Sequence, residues 1–368
     1  MTQRKLIIYK NYVGTYRVHF LNDMSDAFDT HVWLKKDNTR DQAFDQKILF
    51  DHLTFHPQIL PKGFFLRQLI AVLSHLRKIK PDLVITTEYN LITIWVLVLR
   101  FVTGWKYKVV SMCDDSYNMI AGNDFTITHR IARRCVSPFL DDIITIEPRV
   151  RDWYQKNYHK GYFFPIIRND NLTRNDYAKS LSLAQETIDR YNLANKQIVL
   201  FVGRLVKLKN LDTLLKAIAK LNQDNIQLVI VGNGTEERHL KQLAEELGVN
   251  VIMTGNLFGD ALNVWFNIAK VLVLPSYQEA FGAVTNEALI AGCYAVVSQS
   301  AGSQCLIEDG INGYVFETMN VDDLVKKLNM ALALPTTSIG NDDGLRKNLM
   351  VYDYSTMIKQ LIDHLYQL

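Results

Sequence analysis

A chain of 368 residues is longer than one ordinary hydrophobic core, so two domains are expected. Its 48% hydrophobic and 21% charged residues are ordinary for a soluble globular protein. Four scattered cysteines, Cys113, Cys135, Cys293 and Cys305, lack C-x-x-C or metal-ligand spacing, which excludes a disulfide framework and a zinc site and argues for a reducing compartment.

The net charge of +3 hides an asymmetry, because residues 1–165 carry 23 Lys+Arg against 16 Asp+Glu and the remainder carries 18 against 22. The opening "MTQRKLIIYK" has a four-residue apolar run without a small-residue cleavage site, so no export signal is expected. Strands are expected at 5–9, 31–34, 82–86, 108–112 and 142–146, where short apolar runs rich in β-branched residues alternate with helical patterns. From His52 to Pro81 there is no acid, while Lys62, Arg67, Arg77, Lys78 and Lys80 supply five positive charges. Phe64, Phe65, Leu66, Leu69, Ile70, Leu73 and Leu76 fall among them at largely helical spacing. Two readings stay open: a core-packed helix with a solvated basic edge, or a surface resting on an anionic membrane or an anionic acceptor. The stretch "LITIWVLVLRFV" (91–102) is interrupted by Arg100 and is too short to span a bilayer, so it reads as a buried helix.

The pattern breaks over 166–196, which is polar and lacks a strand. Strands resume at 197–203, 226–232, 251–255, 271–276, 294–298 and 313–316, again with helices between them, and "YDYSTMIKQLIDHLYQL" reads as one closing amphipathic helix. Alternating strand and helix implies an α/β protein with parallel sheets covered on both faces. The expected architecture is two Rossmann-like, doubly wound domains facing across a cleft. They would be an N-terminal domain over 1–168, with the closing helix 351–368 packing back on it, and a C-terminal domain over 169–350.

Ligands of such sheets bind at the carboxyl ends of the strands. After Gly203, Arg204 and Lys209 stand in a basic loop before a helix expected near Asn210, read as its N-cap, with Asp212 in the first turn. Together with the free amides of a helix start they suit a diphosphate; alone, each is an ordinary solvated loop charge. "VGNGTEERHL" has Gly232 and Gly234 but Glu237 where a dinucleotide fingerprint needs its third glycine, so it reads as a tight turn into a helix. In "LPSYQEAFGAVTNEALIAGCYAVV", Glu279 lies in the loop after a buried strand, Gly282 permits close backbone approach to a ligand, and Glu287 is expected about two turns along the next helix. Ionised carboxylates so placed could bond two sets of sugar hydroxyls.

This last stretch resembles the E-x7-E signature of the nucleotide-sugar glycosyltransferases of family four, which have the GT-B fold. The likeness extends through "LFVGRLVKLKNLDTLLKAI", "LVIVGNGTEERHLKQLAEELG" and "GCYAVVSQSAGSQCLIEDGINGYVF", in order over 197–330. It implies a retaining, metal-independent transferase with no cofactor beyond a nucleotide-diphosphate sugar as co-substrate. By the same resemblance Arg204 and Lys209, with Gly203, bind the donor diphosphate. Glu279 sits by the transferred sugar, Glu287 holds the ribose hydroxyls, the backbone of Phe281, Gly282 and Ala283 meets the phosphates, and Gly255, Asn256 and Leu257 meet the base.

The first half departs from the family pattern. Many relatives carry a glycine pair after the first strand, where "YKNYVGTYRVHF" has Gly14 alone as a donor contact. Where many have a histidine, "VVSMCDDS" has Cys113 followed by Asp114, which could stand in as a catalytic hydroxyl acceptor or merely cap a turn. The expected acceptor is a glycan or lipid-linked glycan of bacterial surface polysaccharide assembly, in a cytoplasmic enzyme peripheral to the membrane. No nucleic-acid partner is expected. A non-catalytic scaffold of the same fold, favoured by the altered "SMCDDS" segment, and a GT-B sugar-nucleotide epimerase are the rival readings.

Overall fold

A computed structural model describes residues 3–35, 50–61, 65–122, 125–335 and 344–368. The chain divides into two compact units, Met1–Arg168 with Ser355–Leu368, and Asn169–Tyr354.

In the first unit, seven strands form a parallel sheet: β1 (Lys5–Lys10), β2 (Asp29–Leu34), β3 (Gln58–Ile59), β4 (Leu83–Thr87), β5 (Lys108–Cys113), β6 (Asp142–Thr145) and β7 (Tyr162–Phe163). Their order is β3-β2-β1-β4-β5-β6-β7, so the winding reverses between β1 and β4. Leu6, Ile7, Ile8, Val84, Val109 and Val110 are fully buried, as expected of central strands covered on both faces. The two-residue strands β3 and β7 lie at the sheet edges and are not among the expected strands.

In the second unit the sheet has six parallel strands: β8 (Gln197–Val202), β9 (Ile226–Val231), β10 (Val251–Gly255), β11 (Val271–Leu274), β12 (Tyr294–Ser298) and β13 (Gly313–Phe316). The order β10-β9-β8-β11-β12-β13 reverses between β8 and β11. The polar segment after Arg168 is a pair of helices, Asp170–Lys179 and Leu181–Arg190. Asn169 caps the first by accepting from the Leu172 amide at 3.1 Å.

The chain's closing helix, Tyr354–Gln367, packs on the first unit. His364 Nε2 lies 2.6 Å from Asp142 Oδ2 and its ring stacks on Tyr162, while Tyr366 stacks on Phe28 and donates to the Ala27 carbonyl at 2.7 Å.

Expectation and structure differ over residues 91–102. The helix Leu91–Thr103 buries Ile92, Thr93, Val96 and Leu99, but it is not a buried helix. Phe101 is 90% and Val102 73% exposed, because only one face of this mostly apolar helix is covered. Of the acid-free stretch 52–81, Phe65–Ile79 is helical, whereas Lys62 and Phe64 lie outside the described residues.

Candidate functional site

The point where a doubly wound sheet reverses opens a crevice at the carboxyl ends of its strands. In the second unit that point is the β8/β11 edge, where both loops singled out in the sequence emerge. From β8 come Gly203, exposed Arg204, a 3-10 turn at Lys207–Lys209, and the helix Leu211–Leu221. From β11 come Pro275, Ser276 and Glu279, then Phe281–Ala283 and the helix Val284–Ile290.

The two loops are bound to one another. Lys209 Nζ and the Glu279 carboxylate form an ion pair whose side chains are only 16% and 18% exposed. The Tyr277 amide donates to the Leu208 carbonyl at 3.1 Å, and Asn210 Nδ2 donates to the Pro275 carbonyl at 3.1 Å. Asn210 holds the N-cap position expected of it, but its side chain caps no helix amide. Its φ of 52° is left-handed, and its Oδ1 accepts from Thr213 Oγ1 at 2.9 Å rather than from a helix amide. Bridging to the β11 loop takes the side chain that a cap would need. Arg204 forms no ion pair among the described residues.

Residues 279–281 dock on the turn after β12, and the chain then turns at Gly282. Glu279 pairs with Ala301 as an isolated parallel bridge, and the Ser303 amide donates to the Phe281 carbonyl at 2.8 Å. The Phe281 side chain is buried, so this residue offers a ligand only backbone. Gly282 has φ 94°, and a Cβ there would lie 2.4 Å from Leu274 Cδ2, so glycine is needed. This turn delays the helix: Glu287 sits in its first turn, not two turns along, where its charge suits the positive end of the dipole. Glu287 is half-buried, and its carbonyl accepts from Tyr177 Oη at 3.0 Å.

The glycines of "VGNG" serve close backbone contact. A Cβ on Gly232 would lie 1.9 Å from the Gly203 oxygen, and one on Gly234 2.3 Å from the Leu205 oxygen. The Leu205 amide donates to Asn233 O at 2.8 Å, and the Gly232 amide to Gly255 O at 2.8 Å. Backbone thus links the ends of β8, β9 and β10 in a row leading from Gly203 to Gly255. Beyond it Asn256 is exposed, and Leu257 packs against the core.

Gly14 and Asp114 belong to the first unit, Gly14 after β1 at the reversal between β1 and β4, and Asp114 after β5, the next strand beyond β4. Gly14 is buried, and a Cβ on it would come within 2.7 Å of the Tyr16 ring. Arg17 pairs with one oxygen of Asp114, Oδ1, at 3.3 Å. Cys113 is buried, and its thiol donates to Tyr89 Oη at 3.3 Å.

The sequence reading missed Glu88 and Lys10 here. Both end strands, as Glu279 follows one, and that position was the available signal. Burial, then the carboxylates of Asp115 and Asp114, push Glu88 from 4.5 up to about 7. Burial, then Arg17, bring Lys10 down to about 8. Glu88 also holds a left-handed φ of 52°, fixed by its amide donating to Met112 O at 2.9 Å and by Ser111 Oγ and Thr93 Oγ1 donating to its carbonyl at 2.8 and 3.0 Å. Such over-determined strain is characteristic of functional sites.

Its titration gives a prediction. Below about pH 4.5 Glu88 is protonated in both folded and unfolded chains. As pH rises, the unfolded chain loses this proton first, so the stability Glu88 contributes is lost between pH 4.5 and about 7. Melting temperature measured against pH should therefore fall more steeply through this window in the wild type than in Glu88→Gln. Parallel curves would refute the assignment.

Comparison with known proteins places the second unit. Residues 184–348 match the family model described as Glycosyl transferases group 1. An uncharacterized glycosyltransferase of Methanocaldococcus jannaschii is 35% identical over 142 residues, covering 38% of this chain and 36% of the relative. The lipopolysaccharide 1,2-N-acetylglucosaminetransferase of Salmonella typhimurium is 33% identical over 149 residues, 37% of this chain and 39% of the relative. The chain thus matches less than half the length of either relative. The solved structure of Anabaena HepE in complex with UDP matches with a TM-score of 0.76 at 18% identity, covering 99% of this chain and 100% of the other. The apo lipopolysaccharide outer core galactosyltransferase WaaB matches with a TM-score of 0.68 at 18% identity, covering 98% and 99%. The fold is GT-B, and the part of the second unit over 184–348 is similar to the group 1 glycosyl transferases.

Proposed function

From that similarity, we propose that the chain is a retaining glycosyltransferase that takes a sugar from a nucleotide-diphosphate donor held at the β8/β11 edge of the second unit. The observation that carries this reading is the Lys209–Glu279 pair, which joins the two loops beside exposed Arg204 and the glycine turn at 281–283. Arg204 and Lys209 would meet the diphosphate and offset its charge as it leaves, and first-turn amides without intrahelical acceptors would add donors. Glu279 would face the transferred sugar and Glu287 the ribose. The backbone row ending at Gly255, with Asn256 and Leu257, would receive the base.

The acceptor would be a glycan or lipid-linked glycan bound by the first unit, with Asp114 and Glu88 as hydroxyl acceptors at its strand ends. A place in bacterial surface polysaccharide assembly rests on relatives such as the lipopolysaccharide transferase of Salmonella. The same place implies a cytoplasmic enzyme. Among the described residues no helix is long and apolar enough to cross a membrane.

Incubation with a panel of nucleotide sugars in excess EDTA tests this reading. UDP-sugars come first, because HepE was solved with UDP. Slow release of nucleoside diphosphate without acceptor, unaffected by chelator, is the expected result. Binding without release would favour a scaffold, and an altered free sugar an epimerase. Turnover that stops in EDTA and returns with Mg or Mn would contradict leaving-group stabilisation by Arg204 and Lys209.

A further inference from the structure

A helix that is apolar on every side is normally buried or in contact with lipid. Helix Leu91–Thr103 lies between two others on the first unit, Phe65–Ile79 and Ile127–Val136. Their inward residues Val72, Leu76, Val96, Leu99 and Val136 join one core. Phe65 meets Trp95 edge-on at 4.3 Å, and a groove of about 500 Å³ runs between the second and third helices, lined by Leu97, Val98, Ile131, Ala132, Cys135 and Phe139. Outward the same helices expose Leu66, Ile70, Phe101, Val102, Ile127 and Ile131. Aliphatic and aromatic groups gathered in this way on one face mark an interaction surface.

The charge on this face is of one sign. None of the three helices contains an Asp or Glu. Arg67, Arg77, Lys78 and Arg134 are exposed and form no ion pair among the described residues. Arg100 and Arg133 do not add to the surface charge, because the first pairs with Asp141 and the second is buried between Phe125 and Trp153.

We propose that this three-helix face lies on an anionic bilayer, with Phe101, Val102 and Ile131 entering the interface and the groove taking a lipid acyl chain. Exposed apolar groups on helices that also carry unpaired cations suit a negatively charged lipid surface, where burial of apolar area and attraction to headgroups add. The surface is wider than the acid-free stretch 52–81, because it includes the two helices that follow. It stands independently of the reaction proposed above.

The test is sedimentation of the intact protein with phosphatidylcholine vesicles, with and without phosphatidylglycerol. Binding should require the anionic lipid. Phe101→Asp/Val102→Asp should weaken it about tenfold or more, because two exposed side chains would no longer enter the interface. Neutralising Arg67, Arg77, Lys78 and Arg134 should weaken it about a hundredfold. The second variant leaves the apolar face untouched, so the proposal is still tested should the first fail to fold. Equal binding to neutral vesicles, binding retained in both variants, or no vesicle binding by the wild type would overturn the proposal. So would a wild-type dimer that Phe101→Asp/Val102→Asp dissociates, since the face would then belong to a second copy.

Discussion

Replacing Glu279 by glutamine should lower kcat by about one to two decades and change donor affinity much less. The reason lies in its partner. Glu279 pairs with Lys209, so the glutamine variant leaves the lysine charge in place and free of its counter-ion. Attraction for a diphosphate should therefore persist. What is lost is a carboxylate beside the reacting sugar, and contacts that strengthen in the transition state act on kcat. Glu287→Gln should behave differently. It keeps the shape of the first-turn residue but weakens a charged hydrogen bond to ribose, worth roughly 1.5–3 kcal/mol, so donor KM should rise by about one to two decades. If both carboxylates only tied their loop and helix in place, both variants would lose melting temperature and keep wild-type kinetics. Measuring kcat, donor KM and melting temperature for the two variants separates these outcomes.

The sheets were legible because covered parallel strands are near-continuous apolar runs, which is how "KLIIY", "DLVIT" and "QIVLFVG" declare themselves. Strands of two residues at an edge, such as Gln58–Ile59, bury too little to leave such a trace. Site details were harder wherever the tertiary partner decides the local role. Asn210 has the residue type and place of an N-cap, but its Oδ1 accepts from the Thr213 hydroxyl and its Nδ2 donates to the Pro275 carbonyl, so no helix amide is capped. The helix start before Glu287 is set by the turn at Gly282 and its docking on residues 301–303, which helical spacing does not encode. Apolar composition made 91–102 a buried helix, yet composition does not say how many sides a neighbour covers. Glu88 stands alone in sequence. Its place just after β4 is a weak signal that becomes specific when Asp114, Asp115 and Lys10 are brought around it.

Replacing Arg204 and Lys209 together by alanine should remove diphosphate binding while the fold persists. Arg204 is exposed and loop charges add little to stability, and the vacated Glu279 stays near enough to solvent to tolerate the loss of its partner. Two charged hydrogen bonds of roughly 1.5–3 kcal/mol each amount to about two to four decades in affinity. The measurement is a calorimetric titration of the intact wild type and the double variant with UDP and the other nucleoside diphosphates, beside their melting curves. Saturable binding of at least one nucleotide by the wild type, lost in a variant that still melts cooperatively, is the predicted result. A wild type that binds none of them, or a double variant that binds as tightly as the wild type, would contradict a donor site at the β8/β11 edge.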